Sequence, residues 1–190
     1  MILLASMSGC ATPPTGPINA QAVGSREDLY IVRSLREERT PKSTWCTSDR
    51  AGFAPFNSEF LIDDRFAMWS MEVQPRDGRI TGSKATKVGE LRTCIGLTGD
   101  PALYNFYAEG QIASLSITGR GDCRLLRPDY PERGIAALRC YLDLRGLSSP
   151  YIGGMLTTST LSSRSVLSGE SDPPGYLQTS LATIRLWRAP

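Results

Sequence analysis

A strictly alternating run of residues near the middle of the chain restricts the fold more than any other feature. In this run Ala136, Leu138, Cys140, Leu142 and Leu144 alternate with Ala137, Arg139, Tyr141 and Asp143. Successive side chains of a β-strand point to opposite faces, so the run predicts a half-buried strand that turns Cys140 towards the core.

Further strand patterns recur at short intervals, and glycine and proline residues separate them. They cover Glu59 to Ile62, Phe66 to Val73, Gly89 to Ile95, Leu103 to Ala108, Gln111 to Thr118, Gly154 to Leu161 and Tyr176 to Trp187. Asp77-Gly78 between two such runs predicts a hairpin. About eight or nine strands without a convincing helix predict an all-β sandwich or barrel, and closure into a barrel removes the edges that an open sheet exposes.

Two segments are ambiguous. Ser25 to Asp28 resembles a helix-capping box, but the β-branched pair Ile31 and Val32 favours a strand, and we predict the first strand here. Gly119 to Arg124 begins like a glycine-rich dinucleotide loop. It lacks the last glycine and has no helix pattern after it, so we predict a polar turn.

A cysteine near the N-terminus indicates where the protein is sent. Met7-Ser8-Gly9-Cys10 follows the apolar run Ile2 to Ala5 and resembles the lipobox of bacterial lipoproteins, in which the cysteine is acylated. No lysine or arginine precedes Cys10, so we expect translation to begin further upstream. The alternative is a disordered N-terminus with an incidental cysteine.

The lipobox divides the chain into three parts. Residues 1–9 are predicted as a truncated lipoprotein signal peptide, residues 10–27 as the lipidated cysteine and a Pro-rich tether, and residues 28–190 as a β-barrel domain. This predicts a periplasm-facing protein of the bacterial cell envelope, anchored by lipid in the outer membrane. After Cys10 no apolar run reaches the ~18 to 20 residues of a spanning helix, so the lipid is the only predicted membrane attachment.

Once Cys10 is set aside, an even set of four cysteines remains, which suits disulfide formation in an oxidising compartment. Cys46, Cys94, Cys123 and Cys140 allow three pairings, and we prefer Cys46 with Cys94 and Cys123 with Cys140. The alternative of a zinc site is weaker, because the chain has no C-x-x-C motif and no histidine. No metal is therefore expected.

The composition excludes several functions. Without histidine, neither a Ser-His-Asp nor a Cys-His arrangement can activate a nucleophile, and no P-loop or G-x-S-x-G motif is present. The 21 basic and 19 acidic side chains give a net charge of +2, and the basic ones are scattered. Such a charge pattern does not favour nucleic-acid binding.

Several segments carry a family resemblance: Gly89 to Cys94, Gly110 to Gly121, Tyr151 to Thr158, Ser171 to Tyr176 and Ser180 to Trp187. Together they resemble bacterial secreted proteins whose domain is similar to the allene oxide cyclase barrel, a group that also includes the plant dirigent proteins. The resemblance covers roughly residues 28 to 188. It implies a small antiparallel barrel of about eight strands, a homotrimer, and an apolar cavity for a hydrophobic ligand without metal or organic cofactor.

Four residues are candidates for a pocket, because an eight-stranded barrel has room for packed side chains or one small ligand. If Glu109 projects inward, its desolvated carboxylate would suit a base, and Tyr107 shares its face by alternation. Arg33 and Arg185 would supply a cation for an acidic head group. The ordinary alternative places Glu109 on the solvated outer face and Tyr107 in the core.

The chain contains three tryptophans, Trp45, Trp69 and Trp187. They would suit the wall of a ligand pocket, but aromatic side chains of a small β domain usually fill the core first. We therefore predict that they lie in the core.

Three functions follow from this. The favoured one is an envelope-anchored lipoprotein whose barrel binds a small apolar or amphipathic ligand. The first alternative is a cofactor-free isomerase or cyclase of the allene oxide cyclase type, which needs a carboxylate, tyrosine or arginine inside the cavity. The second is a structural or interaction lipoprotein with a filled barrel. An interior void of ~300 Å³ or more would favour the first two functions, and a fully packed interior would exclude both.

Overall fold

All regular secondary structure in the described part of the chain is β-strand. The computed structural model describes residues 21–22, 26–41, 43–46, 62–73, 80–81, 86–129, 133–163 and 178–189. The strands are β1 (Gln21–Ala22), β2 (Glu27–Pro41), β3 (Ile62–Ser70), β4 (Glu72–Val73), β5 (Ile80–Thr81), β6 (Lys87–Leu97), β7 (Leu103–Ile112), β8 (Leu115–Pro128), β9 (Ile135–Arg145), β10 (Tyr151–Ser163) and β11 (Thr179–Arg188). These residues include no helix long and apolar enough to cross a membrane.

Eight strands close into an antiparallel barrel. Around the barrel the order is β2, β11, β10, β9, β8, β7, β6 and β3, and β3 pairs with β2 to complete the circle. Apart from β11 and β2, the paired strands are consecutive barrel strands along the chain. The predicted all-β antiparallel barrel of about eight strands is confirmed. Closure satisfies the backbone groups that an open sheet would leave at its edges.

The remaining strands are short additions to this barrel. β1 pairs with the start of β2, so two residues of the predicted tether add to the sheet. β4 pairs with β5 in antiparallel orientation. Asp77 and Gly78, for which a hairpin turn is predicted, lie outside the described residues, as do Cys10 and the rest of residues 1–20.

Alternation along each strand separates an interior face from an outer face. In β9 the side chains of Leu138, Cys140 and Leu142 are buried, whereas Arg139 and Tyr141 are exposed, as predicted. The most completely buried apolar side chains are Val32, Met68, Ile112, Ile117, Leu142, Leu156, Ile184 and Leu186. Full burial of one such side chain stabilises a fold by about 1.5–3 kcal/mol, so this interior is the main source of stability.

The predicted polar turn at Gly119 to Arg124 is wrong, because these residues lie within β8. Gly119 and Gly121 face the interior, and a Cβ atom on Gly119 would lie 2.8 Å from Cδ2 of Leu144. A Cβ atom on Gly121 would lie 1.9 Å from the backbone oxygen of Tyr141 on β9. The glycines therefore permit close packing between β8 and β9 and do not mark a turn.

The predicted strand from Gln111 to Thr118 is also wrong in extent. β7 ends at Ile112 and β8 begins at Leu115, so a two-residue turn interrupts it. Ala113 occupies the left-handed region with a φ angle of 51°. Glycine or asparagine is usual in that conformation, and the sequence carries neither signal at this position.

Both preferred disulfide pairings are present. Cys123 and Cys140 are directly opposed on β8 and β9, 17 residues apart in sequence, and both face the interior. Cys46 joins the segment 43–46 to Cys94 on the outer face of β6, across 48 residues. A bridge that closes so long a loop removes more conformational freedom from the unfolded chain than one that closes a short loop.

A buried carboxylate joins three strands at one end of the barrel. Asp28 of β2 accepts hydrogen bonds from Tyr151 of β10, at 2.5 Å, and from Arg188 of β11, at 2.6 and 3.1 Å. Burial alone would raise the pKa of Asp28, but these hydrogen bonds and the charge of Arg188 outweigh it and hold the pKa below its ordinary value. Burial and the hydrogen bond to Asp28 raise the pKa of Tyr151 to about 12.

The Asp28 carboxylate makes the stability of the barrel depend on acid pH. Because its pKa is lower in the folded protein than in the unfolded chain, its contribution is present above the ordinary value of 3.8 and is lost as the pH falls through the folded value. We expect Asp28→Asn to lower the free energy of unfolding at neutral pH and to reduce its loss between about pH 5 and about pH 2. Urea denaturation at a series of pH values measures both effects. Asp143→Asn removes an exposed carboxylate from β9 and is the control, and identical pH profiles for Asp28→Asn and wild type would contradict the assignment.

Candidate functional site

A small cavity lies inside the barrel, in the half where β2 ends and β3 begins. Its volume is about 40 Å³. Fifteen described residues line the cavity: fourteen belong to the eight barrel strands, and Gln178 lies just before β11. None of the lining side chains carries a charge. Its two walls have opposite chemistry.

One wall is apolar and contains three aromatic rings. Its residues are Phe66, Leu91, Ile95, Tyr104, Phe106, Leu138 and the disulfide-bonded pair Cys123 and Cys140. The hydroxyl group of Tyr104 donates a hydrogen bond to the backbone oxygen of Pro101, at 2.6 Å. Because that polar atom is already satisfied outside the cavity, Tyr104 offers the cavity its ring.

The opposite wall consists of hydroxyl and amide side chains. Its residues are Ser34, Thr158, Thr160, Ser162, Gln178 and Ser180. Thr93 lies on β6 between Leu91 and Ile95 of the apolar wall, and its hydroxyl group donates a hydrogen bond to the backbone oxygen of Asp64 at 3.4 Å. Ser34 and Ser180 are directly opposed on β2 and β11, and Ser180 is opposed to Thr160 on β10. The Thr160 hydroxyl lies 2.7 Å from that of Ser180 and 3.2 Å from that of Thr158, so the three form a hydrogen-bonded chain.

A charged network lies behind the polar wall. Arg39 of β2 donates two hydrogen bonds to the carboxylate of Asp64 on β3, at 2.7 and 2.8 Å. The side chain of Arg39 is 8% exposed and that of Asp64 is 0% exposed. The Gln178 Oε1 atom accepts hydrogen bonds from Arg36, Arg39 and Ser162, each at 3.0 Å. The network thus fixes both the position and the orientation of the Gln178 amide.

The polar wall contrasts with the other half of the interior, which is filled by side chains such as Met68, Ile117 and Leu156. Transfer of a hydroxyl or amide group from water into a protein interior costs about 1–3 kcal/mol unless it is hydrogen-bonded. The barrel does not need polar side chains in its interior, since apolar side chains fill the other half of it. Their concentration around a void makes the cavity the candidate functional site.

None of the four predicted pocket residues lines this cavity. Tyr107 and Glu109 share the outer face of β7, where the Tyr107 hydroxyl donates a hydrogen bond to Glu109 at 2.7 Å. Arg33 is exposed on the outer face of β2. Arg185 is exposed on β11 and lies 3.2 Å from Glu27. The shared face of Tyr107 and Glu109 is as expected, but alternation turns that face outward because Phe106 and Ala108 face inward. A ligand role for these four residues stays a prediction.

Glu109 borders a wide, open groove on the outer face of the barrel. Charged side chains dominate this groove, and they pair with one another: Lys87 lies 2.7 Å from Glu90, and Arg65 lies 3.3 Å from Glu38. Small-molecule sites are usually concave and mostly apolar. The interior cavity meets that description better than the outer groove does.

The predicted core position of the tryptophans is wrong for all three, because each lies on the outer side of the barrel. Trp187 is 39% exposed on the outer face of β11. Trp45 lies against the outer face of the barrel with Cys46, Cys94 and Tyr107. Trp69 is half-buried on β3, opposite Arg33, and does not line the cavity. The interior is narrow, and the strands fill it with Leu, Ile, Met and Phe side chains.

A second ion pair stabilises the outer cluster around Trp45. Arg92 of β6 donates hydrogen bonds to Asp63 at 2.6 and 2.9 Å, and its guanidinium lies 4.1 Å from the centre of the Trp45 ring. Burial alone would raise the pKa of Asp63, but hydrogen bonds from Arg92 and Ser43 and the nearby arginine charges hold that pKa below its ordinary value.

The sequence contained partial signals for the residues of the polar wall. In β10 the period of two that brings Leu156 inward also brings Thr158, Thr160 and Ser162 inward. Serine and threonine occupy the outer face of β10 as well, so the pattern lacks the polarity contrast that marks an inner face. Gln178 precedes β11, where no alternation applies.

The described residues contain no group of three or more His, Cys, Asp or Glu side chains placed to hold a metal ion. No family model, no curated protein and no solved structure matches the chain.

The Asp64 carboxylate should be essential for the stability of the polar half. Asp64→Asn removes the negative charge that Asp64 places against the buried guanidinium of Arg39, and we expect the free energy of unfolding to fall by about 3–5 kcal/mol. Asp122→Asn is the matched control, because Asp122 is half-exposed on β8 and lies 3.6 Å from an exposed Arg124. That substitution should cost less than about 1 kcal/mol. Urea denaturation measures both values, and equal losses would contradict a special role for Asp64.

Proposed function

We propose that the barrel binds a small amphipathic molecule in its interior cavity. The observation that carries the proposal is the pairing of an apolar wall, formed by Phe66, Phe106 and their neighbours, with a hydroxyl and amide wall across the same void. An apolar wall contributes affinity, and a few fixed polar groups orient the ligand. A protein that used its barrel only as a scaffold would gain stability by filling this space.

The volume of the cavity limits the size of the ligand. One water molecule needs about 10–15 Å³ of such space, so a cavity of about 40 Å³ accepts about three or four water-sized groups. This volume is well below the ~300 Å³ that drug-sized ligands occupy and that would favour a binding or catalytic barrel on volume alone. The interior is not fully packed either, so the proposal rests on the chemistry of the two walls and not on the size of the void. A void of this size suits a molecule of a few non-hydrogen atoms, and a longer ligand would have to extend out of the barrel.

Binding is a better proposal than isomerisation or cyclisation for this cavity. General acid-base catalysis needs a titratable group within hydrogen-bond reach of the reacting atoms. Among the described residues that line the cavity there is no carboxylate, lysine or arginine. Tyr104 is the one titratable side chain of the wall apart from the disulfide-bonded cysteines, and its hydroxyl is bonded to Pro101.

Titration with 2-propanol, which has four non-hydrogen atoms, tests the binding proposal. So small a molecule gains only a few kcal/mol, so we expect a dissociation constant in the millimolar range. Amide chemical shifts of ¹⁵N-labelled protein should change at Phe106 and Thr158, which line opposite walls. Ser34→Leu fills the cavity and should abolish these changes, whereas Ser159→Leu on the outer face of β10 should preserve them. Shift changes confined to the outer face would refute binding inside the barrel.

We further propose that the protein is a lipoprotein of the bacterial envelope, anchored through Cys10 and facing the periplasm. The two disulfide bonds support this proposal, because such bonds persist in oxidising compartments and are rare in the cytosol. The barrel would then work at the membrane surface, where small amphipathic molecules are concentrated.

Globomycin, an inhibitor of lipoprotein signal peptidase, tests the anchor in cells that express the gene from its own locus. We expect an unprocessed precursor to accumulate with the inhibitor, and we expect Cys10→Ala to move the protein from the membrane fraction to the soluble fraction. Cys46→Ala is the matched control, because it also replaces one cysteine by alanine, here one that is bonded to Cys94, but leaves the lipobox intact. Unchanged processing and unchanged fractionation in both experiments would refute the anchor.

A further inference from the structure

The orientation of one buried amide restricts the chemistry of the ligand further. Gln178 is 4% exposed and lines the cavity. Its Oε1 atom accepts three hydrogen bonds, of which those from Arg36 and Arg39 come from groups that can only donate. Exchanging the oxygen and nitrogen positions of the amide would set Nε2 against these two donors. The contacts therefore fix the oxygen on the arginine side and leave Nε2 as the polar atom that Gln178 offers to the cavity.

No described residue accepts a hydrogen bond from this nitrogen. All hydrogen bonds between the Gln178 side chain and the described residues end on Oε1. The two N–H groups of Nε2 thus have no acceptor among the described residues, on the side of the amide that faces the cavity. A donor that lacks an acceptor is unfavourable in a protein interior, so an occupant of the cavity that supplies an acceptor gains by satisfying it.

The neighbouring hydroxyl groups add to this excess of donors. Thr158, Thr160 and Ser180 carry three hydroxyl protons but form two hydrogen bonds with one another, so one proton is left over. The Ser34 hydroxyl, which lines the same wall, forms no hydrogen bond with any described residue. A hydroxyl oxygen also accepts hydrogen bonds, whereas an amide N–H only donates, so Gln178 is the group that discriminates.

The structure assigns to this cavity a preference for neutral carbonyl compounds, with the carbonyl oxygen on Gln178 Nε2 and the alkyl part against the apolar wall. This inference rests on the proposed binding function and names its ligand class. A carbonyl oxygen accepts and does not donate, which matches the amide. A carboxylate is a poorer match, because no charged side chain lines the cavity and an unpaired buried charge is costly.

Acetone and isobutene provide a matched pair of probes, because they have the same shape. Acetone carries an acceptor oxygen where isobutene carries a methylene group. Gln178→Glu keeps an oxygen for Arg36, Arg39 and Ser162 but replaces the donating nitrogen by an acceptor. We expect this substitution to weaken acetone binding about tenfold and to leave isobutene binding within about threefold of wild type. Gln111→Glu makes the same change on the exposed outer face of β7 and should alter neither affinity.

The side-chain amide signal of Gln178 in ¹⁵N-labelled wild-type protein gives a second readout that does not depend on folding of the variant. Its protons should shift on addition of acetone and not on addition of isobutene. Binding of both probes without an acetone-specific shift, or equal weakening of both by Gln178→Glu, would overturn the carbonyl preference and leave the binding function intact. Failure of both probes to bind the wild-type cavity would overturn the preference together with the proposed function.

Discussion

The bulge in β2 is the constraint on which the interior of the barrel depends. β2 closes the barrel by pairing with both β11 and β3, and its register against β3 shifts between Arg36 and Glu38. Glu37 is the extra residue, and it allows both Arg36 and Arg39 to face inward. With uninterrupted alternation Arg39 would point to solvent. Two guanidinium groups inside a barrel require acceptors, and Asp64 and Gln178 provide them.

Stability alone does not explain why this arrangement exists. Replacement of a buried ion pair by well-packed apolar residues is often neutral or stabilising, because desolvation offsets most of the attraction between the charges. The apolar half of the same interior shows that the strands can be filled with Leu, Ile and Met side chains. What the ion pair supplies is a fixed orientation for Gln178, and through it a hydroxyl and amide wall whose donors have set positions. That outcome serves the ligand binding that we propose.

The barrel and its disulfide bonds could be predicted from the sequence, but the residues that line the cavity could not. The alternation in β9 is strict, so it predicted the inward position of Cys140 and made its pairing with Cys123 on a neighbouring strand reasonable. The inner face of β10 carries threonine and serine, which resemble an outer face when read from sequence alone. The inward position of Arg39 depends on the bulge, and a bulge is a property of two paired strands that neither sequence shows separately. The prediction of a turn at Gly119 and Gly121 was wrong for the same reason. These glycines are needed because β9 packs closely against them, and the sequence of β8 does not show that contact.

The outer aromatic cluster, which also looks like a binding surface, is better explained as a structural cover. The Trp45 ring has the Arg92 guanidinium 4.1 Å from its centre and Tyr107 at a centroid distance of 6.0 Å, so its aromatic surface is already in contact with the protein. Arg92 is held in turn by the carboxylate of Asp63, and Cys46 is bonded to Cys94 beneath the same segment. A ligand that stacked on Trp45 would have to break the cation-π contact or the hydrogen bonds of Arg92. These polar groups already satisfy one another, whereas the donors of Gln178 inside the barrel have no protein acceptor among the described residues, so an incoming molecule gains more in the interior than on the outer face.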